Sequence, residues 1–291
     1  MILSIPLVVA LVVSGVFAGL LGALVGIGGG LIVVPVLVLG FGVDIKIAIA
    51  SSLVAVVASS TASGSVYVGK GLTNLRLGML LEVATTIGGI SGGLIAVYIA
   101  PNVISALFSI LMVVTCVLIL RTKDPVKKPD RASNGPVAIE SAKEDVGKLG
   151  GSYYDPYLKT EIHYDVENVP LGSFISFFAG VLSGLLGVGG GFIKVPAMAL
   201  GMKVPMKVAA ATSNLMIGVT AISSLFVYFA RGFVQPLIAA PVALGVVGGA
   251  LYGTSLAQKI SPKMLRKIFA AILVIVAVQM ILKSMGVSVG K

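Results

Sequence analysis

Long apolar runs separated by short polar breaks dominate the chain. They cover approximately residues 2–25, 31–41, 45–69, 76–100, 103–120, 171–186, 192–201, 205–230, 234–257 and 263–283. A helix rises about 1.5 Å per residue and must cross an apolar core of about 30 Å, so roughly 20 residues are needed. Most of these runs are long enough to span as helices. The run 171–186 is marginal, and 31–41 and 192–201 are too short. Strands of a membrane barrel would instead alternate in polarity over about 10 residues.

Composition agrees with that pattern. The 291 residues are 57% hydrophobic and 11% charged, with a mean hydropathy of +1.08. A soluble domain carries about 25% charge, so lipid must supply part of the solvent. There are 37 glycines. In membranes glycine lets helix backbones approach closely and marks breaks. Cys116 is the only cysteine and lies in an apolar run, which fits a buried inert thiol and excludes a disulfide framework. No basic stretch precedes the first apolar run, so that run is expected to be retained as a membrane element.

The segment 121–169 is different material. It holds nine of the eleven acidic residues and eight of the 21 basic ones. Such a composition predicts a soluble, poorly ordered connector. His163 sits there among Tyr153, Tyr154, Tyr157 and Tyr164 and reads as a solvated loop residue. The chain thus divides into an N-terminal membrane repeat (1–120), a soluble linker (121–169) and a C-terminal membrane repeat (170–291).

The two membrane parts are copies of each other. At an offset of 161 residues, the GIGGG element 26–30 falls on the GVGGG element 187–191. Pro35 then falls on Pro196, Gly40 on Gly201, Lys46 on Lys207, Ser52 on Ser213, Tyr67 on Tyr228 and Gly71 on Gly232. The predicted fold is therefore an all-α polytopic membrane protein of two homologous four-helix repeats, each with a glycine-broken, re-entrant first segment. Paired Gly-interrupted segments at matching positions point to a transporter site.

Charge decides how the copies are oriented. With four plain crossings per half, the basic residues divide 13 to seven between the faces, with Lys194 left inside. With a re-entrant first segment the halves are inverted. One face then collects Lys70, Arg76, the eight loop cations, Lys203, Lys207, Lys259, Lys263, Arg266 and Lys267. Only Lys46, Arg231, Lys283 and Lys291 remain opposite. The second arrangement follows the positive-inside rule far better. It predicts inverted repeats in the cytoplasmic membrane, a cytoplasmic central loop and both termini outside.

The glycine breaks are the first candidate site. A broken helix frees N–H and C=O groups, which are tolerated at membrane depth only inside protein or along a polar cavity. The next helix turn offers unpaired N–H groups and a positive dipole end, which suit an anion. Gly28, Gly29, Gly30, Gly189, Gly190 and Gly191 are the candidate binding residues. Close packing of small residues is the competing explanation. The elements are not a dinucleotide fingerprint, since no βαβ unit accompanies them.

Further candidates follow from polarity. Lys194 lies within the membrane, where a charge costs about 2.5–3.5 kcal/mol on insertion scales. It either pairs with an anionic substrate or extends to the interface. Ser51 and Ser52, matched by Thr212, Ser213 and Asn214, can replace part of an anion's hydration shell or can bond between helices. Ser59, Ser60, Thr61 and Ser63 read as packing residues. Glu82 is the only acid in the predicted membrane helices. It is either solvated near the interface or a carrier of a coupling proton.

The two GxGGGxxxxP elements, each followed by a Gly, a Lys-containing turn and an Ala-rich, Ser/Thr-bearing helix, resemble the TauE/SafE family. The carrying residues are 26–35 with 48–52, and 187–196 with 209–214. The resemblance covers the chain except 121–169, which is longer than the family pattern implies. It implies an eight-helix secondary transporter that exports sulfite, organosulfonates or related sulfur-containing anions. A passive anion channel is the alternative. No Walker motif and no His/Asp/Glu constellation point to an ATPase or an intramembrane enzyme, and the reading calls for no cofactor and no metal. It admits as partners the anion, membrane lipid, a coupling proton or sodium ion and a second copy of the chain. The basic residues lie at the ends of apolar runs, which excludes nucleic acid as the reason for the +10 charge.

Overall fold

A computed structural model describes residues 5–25, 28–69, 71–121, 149–155, 160–256 and 262–284. Gly26, Lys70, Lys259, Lys291 and most of the linker lie outside these. Among the described residues the chain forms ten helices. The first half holds α1 (Ile5–Val25), α2 (Gly30–Gly40), α3 (Ile45–Gly69), α4 (Leu75–Tyr98) and α5 (Pro101–Arg121). The second holds α6 (Val169–Leu186), α7 (Gly191–Gly201), α8 (Met206–Ala230), α9 (Pro236–Leu256) and α10 (Pro262–Ser284). Helices α1, α3, α4, α6, α8 and α9 are each long and apolar enough to cross a membrane. The chain is a polytopic helical membrane protein.

Small and polar residues gather on the inward faces of the helices, beside large apolar ones such as Leu77 and Leu81 on α4. On α4, Gly78, Glu82, Thr85, Gly89 and Gly93 are buried, while Met79, Val83, Ile87 and Ile90 are exposed. Lipid solvates the apolar face as well as protein would, so close backbone approach and polar contacts must hold the helices together. Glycine provides the approach. A Cβ at Gly92 would lie 2.0 Å from the carbonyl oxygen of Val181 on α6, and one at Gly249 would lie 2.1 Å from that of Val16 on α1.

The same contacts fix helix directions. Gly15 and Gly19 of α1 meet Val242 and Val246 of α9, and Gly249 and Gly253 meet Val16 and Leu20. Positions rise together, so α1 and α9 run the same way. Likewise Gly180 meets Thr85 and Gly184 meets Gly89, so α6 runs with α4. Gly78, Gly89 and Gly93 meet Thr212, Ser224 and Val227, so α8 also runs with α4. A tight turn ending at Asn74, whose side chain caps the amide of Leu77, reverses the chain between α3 and α4. Helices α3 and α8, which occupy equivalent places in the two halves, therefore run in opposite directions.

Two faces result. One bears the α3–α4 turn, the linker and the α7–α8 turn, where Lys203 pairs with Glu167 at 2.8 Å. The other bears Lys46, which donates to Val97 O at 2.6 Å, and Arg231, which donates to the Tyr98 hydroxyl at 2.7 Å. Lys283 donates to Val38 O at 2.6 Å on that second face.

The linker holds structure that composition does not announce. Residues Gly151–Asp155 (β1) and Thr160–Tyr164 (β2) form an antiparallel hairpin with Gly151 opposite Tyr164. Tyr153 is buried in a cluster with Leu77, Leu81, Met198 and Met202. Asn74 Nδ2 donates to Leu149 O and to the Tyr164 hydroxyl. Tyr153, Ile162, Tyr164 and Val166 are spent on docking, which a mean over the polar linker conceals.

The close helix contacts give a direct test. Gly92→Val should cost about 1–3 kcal/mol through overpacking and lower the melting temperature in detergent. Gly248→Ala, with nothing within 4 Å of its Cβ position, should leave it unchanged.

Candidate functional site

The two glycine breaks come together. Gly28 has φ +78°, and Gly187, Gly189 and Gly190 have φ of +72°, +80° and +74°. These left-handed values favour glycine strongly. In each half the chain folds back on the helix it has just left. Gly29 packs against Ala18 and Gly22 of α1, and Gly190 against Ala179 of α6. Each break then starts its short helix in the same manner. Gly29 O accepts from the amides of Ile32 and Val33, and Gly190 O from those of Ile193 and Lys194.

Ser52 joins the breaks. Its hydroxyl lies 2.9 Å from Gly187 O and 3.3 Å from Gly30 O. A Cβ at Gly30 would lie 2.5 Å from Gly187 O. Gly28 and Gly189 both rest on Ile217. The matched hydroxyl, Ser213, faces Gly191 and has no hydrogen-bond partner, and neither has the hydroxyl of Ser51. Both are fully buried. The structure thus gathers Gly28–Gly30, Gly189–Gly191, Ser52 and Ser213 into one place. Thr212 serves elsewhere, accepting from the backbone amide of Asn74. The carbonyl of Asn214 accepts from the Ser60 hydroxyl.

Lys194 and Glu82 form a second polar centre beside the breaks. Lys194 is 1% exposed, and its Nζ donates to Thr220 Oγ1 at 2.7 Å. Thr220 Oγ1 lies 2.7 Å from Glu82 Oε1, and Lys194 Nζ lies 3.8 Å from Glu82 Oε2. Three helices are therefore clamped: α7 supplies the cation, α8 the hydroxyl and α4 the carboxylate. Both interface readings fail here. Lys194 does not extend to the membrane surface, and Glu82 is buried rather than solvated. Charges at this depth persist when paired and hydrogen-bonded.

Sequence reasoning missed that partnership and did not place Ser59, Ser60 and Ser63 beside the first break. Those serines line a cavity of about 10 Å³ with Gly28, Gly29 and Asn214. The available signal was their i, i+4 spacing on one helix face. Among the described residues no cluster of His, Cys, Asp and Glu is suited to a metal.

A paired-break helical membrane protein with a buried polar centre belongs to the class of membrane transporters. The chain belongs to the sulfite exporter TauE/SafE family, whose sequence profile matches residues 11–280. It is 29% identical over 280 residues to "Probable membrane transporter protein YunE" of Bacillus subtilis, covering 94% of this chain and 97% of that one. It is 28% identical over 287 residues to "Probable membrane transporter protein MJ0441" of Methanocaldococcus jannaschii, covering 94% of each. No solved structure matches the chain.

Breaking a buried ion pair from one side strands the other charge, at about 3–5 kcal/mol. Lys194→Met alone and Glu82→Leu alone should each lose stability on that scale. The double variant should recover most of it in a thermal-melt cycle.

Proposed function

We propose that this TauE/SafE protein is a secondary transporter that exports a small sulfur-containing anion, such as sulfite or an organosulfonate, by alternating access. The observation that carries the reading is the buried Ser213 hydroxyl, left without a partner beside Gly191 where the two breaks meet; the Ser51 hydroxyl is likewise buried and unpartnered, on α3 next to Ser52. An unpaired hydroxyl away from water is costly, and a bound substrate would satisfy it. The break amides of Gly28–Gly30 and Gly189–Gly191 supply further donors, and Ser52 and Asn214 border them.

The halves act as inverted repeats about this centre. Opposite running of α3 and α8 supports that arrangement, as does the exchange of partners in which α1 packs on α9 while α4 packs on α6. Rocking of one half against the other would present the centre to each face in turn. The linker face is cytoplasmic in this reading, because it collects most Lys and Arg residues. Lys194 supplies positive charge to the anion when a proton neutralises Glu82. The acid is then both counter-ion and proton carrier.

Three measurements test the reading. Ser213→Ala removes a group that bonds to nothing in the structure, so folding should be unchanged while anion exchange in proteoliposomes falls about tenfold. Wild-type flux of sulfite, thiosulfate and sulfonates should saturate and support exchange; sustained single-channel currents would overturn the transporter mechanism. A reporter fused to the C-terminus should be read outside the cell.

A further inference from the structure

The repeats differ at one pair of positions, and the difference points to a second ligand. In the second repeat, the Lys194 ammonium rests on the Thr220 hydroxyl. Thr220, Ser224 and Tyr228 follow Ser59, Ser63 and Tyr67 by the same 161-residue offset that relates the glycine breaks. The first repeat has Val33 where the second has Lys194. Its hydroxyl ladder therefore receives no ammonium from that position. Beside it lies the cavity of about 10 Å³ bounded by Gly28, Gly29, Ser59, Ser60, Ser63 and Asn214.

Size and polarity select what fits. Such a volume admits one water-sized particle, and a three- or four-oxygen anion is larger. The hydroxyl protons are already committed. Ser59 donates to Val56 O, Ser63 to Ser59 O and Ser60 to Asn214 O. A hydroxyl has one proton and two lone pairs, so these serines offer a ligand only acceptor oxygens. Hydroxyl and freed carbonyl oxygens at a helix break suit a small hard cation. No carboxylate borders the cavity to favour a divalent ion.

We propose that this cavity binds a monovalent cation of sodium's size through Ser59, Ser60 and Ser63. Lys194 is its covalently tethered equivalent in the second repeat. The proposal rests on the repeat equivalence used above and is independent of which anion is carried.

The test uses the purified full-length protein at fixed pH and ionic strength, in sodium, potassium or choline chloride. Retained ²²Na⁺ should approach one ion per chain, and sodium should raise the melting temperature by roughly 2–5 °C over choline. Ser59→Ala/Ser63→Ala should weaken sodium binding at least tenfold. If Ser59→Ala/Ser63→Ala does not fold, the comparison of sodium with choline on the wild type decides. Equal melting in sodium and choline with no retained ²²Na⁺ would mean a water only and would overturn the site. So would an unchanged sodium affinity in the serine variant. Anion flux measured on the same preparations separates the two readings. Flux without sodium binding removes the cation site alone, and sodium binding without flux removes the transporter alone.

Discussion

A peptide group inside a bilayer must find its hydrogen-bond partner within the protein, and two deliberate interruptions of helix put that demand at the centre of this molecule. At each interruption the carbonyl before the short helix is reused by the amides that follow it, as at Gly29 and Gly190. One side chain, Ser52, adds a hydroxyl within reach of a carbonyl from each break, the shorter distance being to Gly187 O. The rest of the packing serves that meeting. The breaks can touch only if α1 lies against α9 and α6 against α4 at backbone distance. Glycines on those faces allow it, and almost any Cβ there would collide with a neighbouring carbonyl. Glycine content that would weaken a soluble helix is here the condition for closing the fold.

The ion pair obeys the same logic with charge in place of dipoles. Lys194 cannot reach water, and nothing on α7 can neutralise it. Glu82 comes from another repeat and Thr220 from a third helix, so the pair forms only when the halves are docked. Thr220 sits between the two charges and also bonds to Met216 O. That geometry leaves one carboxylate oxygen, Oε2, without a hydrogen bond, though it stays within ion-pair range of Lys194. An ion pair of this kind adds little net stability over an apolar pair of similar size. Its retention in a helix interface is better explained by work done with the charge than by cohesion.

How much of this could be read from the chain follows from what each signal encodes. The membrane class, the duplication and the glycine breaks are legible because they are properties of single segments or of two segments compared. The meeting of Gly30 with Gly187 brings together the two elements that the repeat offset pairs. The pairing of Lys194 with Glu82 was not legible, because it depends on how α4 and α7 are rotated about their axes. Periodicity along α4 is weak when lipid and protein faces are both apolar. Ser59, Ser60 and Ser63 looked like packing residues for the same reason. Their proton positions, which decide what they can bind, follow from local backbone carbonyls that only coordinates reveal. The β-hairpin escaped notice because its docking rests on Tyr153 and Tyr164, two residues within a polar linker.

Exact repeats would give a molecule indifferent to which side it opens, so the departures from symmetry carry the information. Around the second break the hydroxyl of Tyr228 closes on Gly184 O at 3.0 Å, and Tyr228 is fully buried. Around the first break the matched pair is Tyr67 and Ala23, and both instead line the small cavity beside the serines. Helix α3 approaches its end at Tyr67 on the linker face, while α8 approaches its end at Tyr228 on the opposite face. At equivalent positions the second repeat buries its tyrosine against a carbonyl, and the first sets its tyrosine beside a small cavity. The second repeat carries Lys194 where the first carries Val33. A duplicated fold that keeps its glycines and hydroxyls in register, yet tethers a charge in one half only, makes the surroundings of its two breaks chemically unequal.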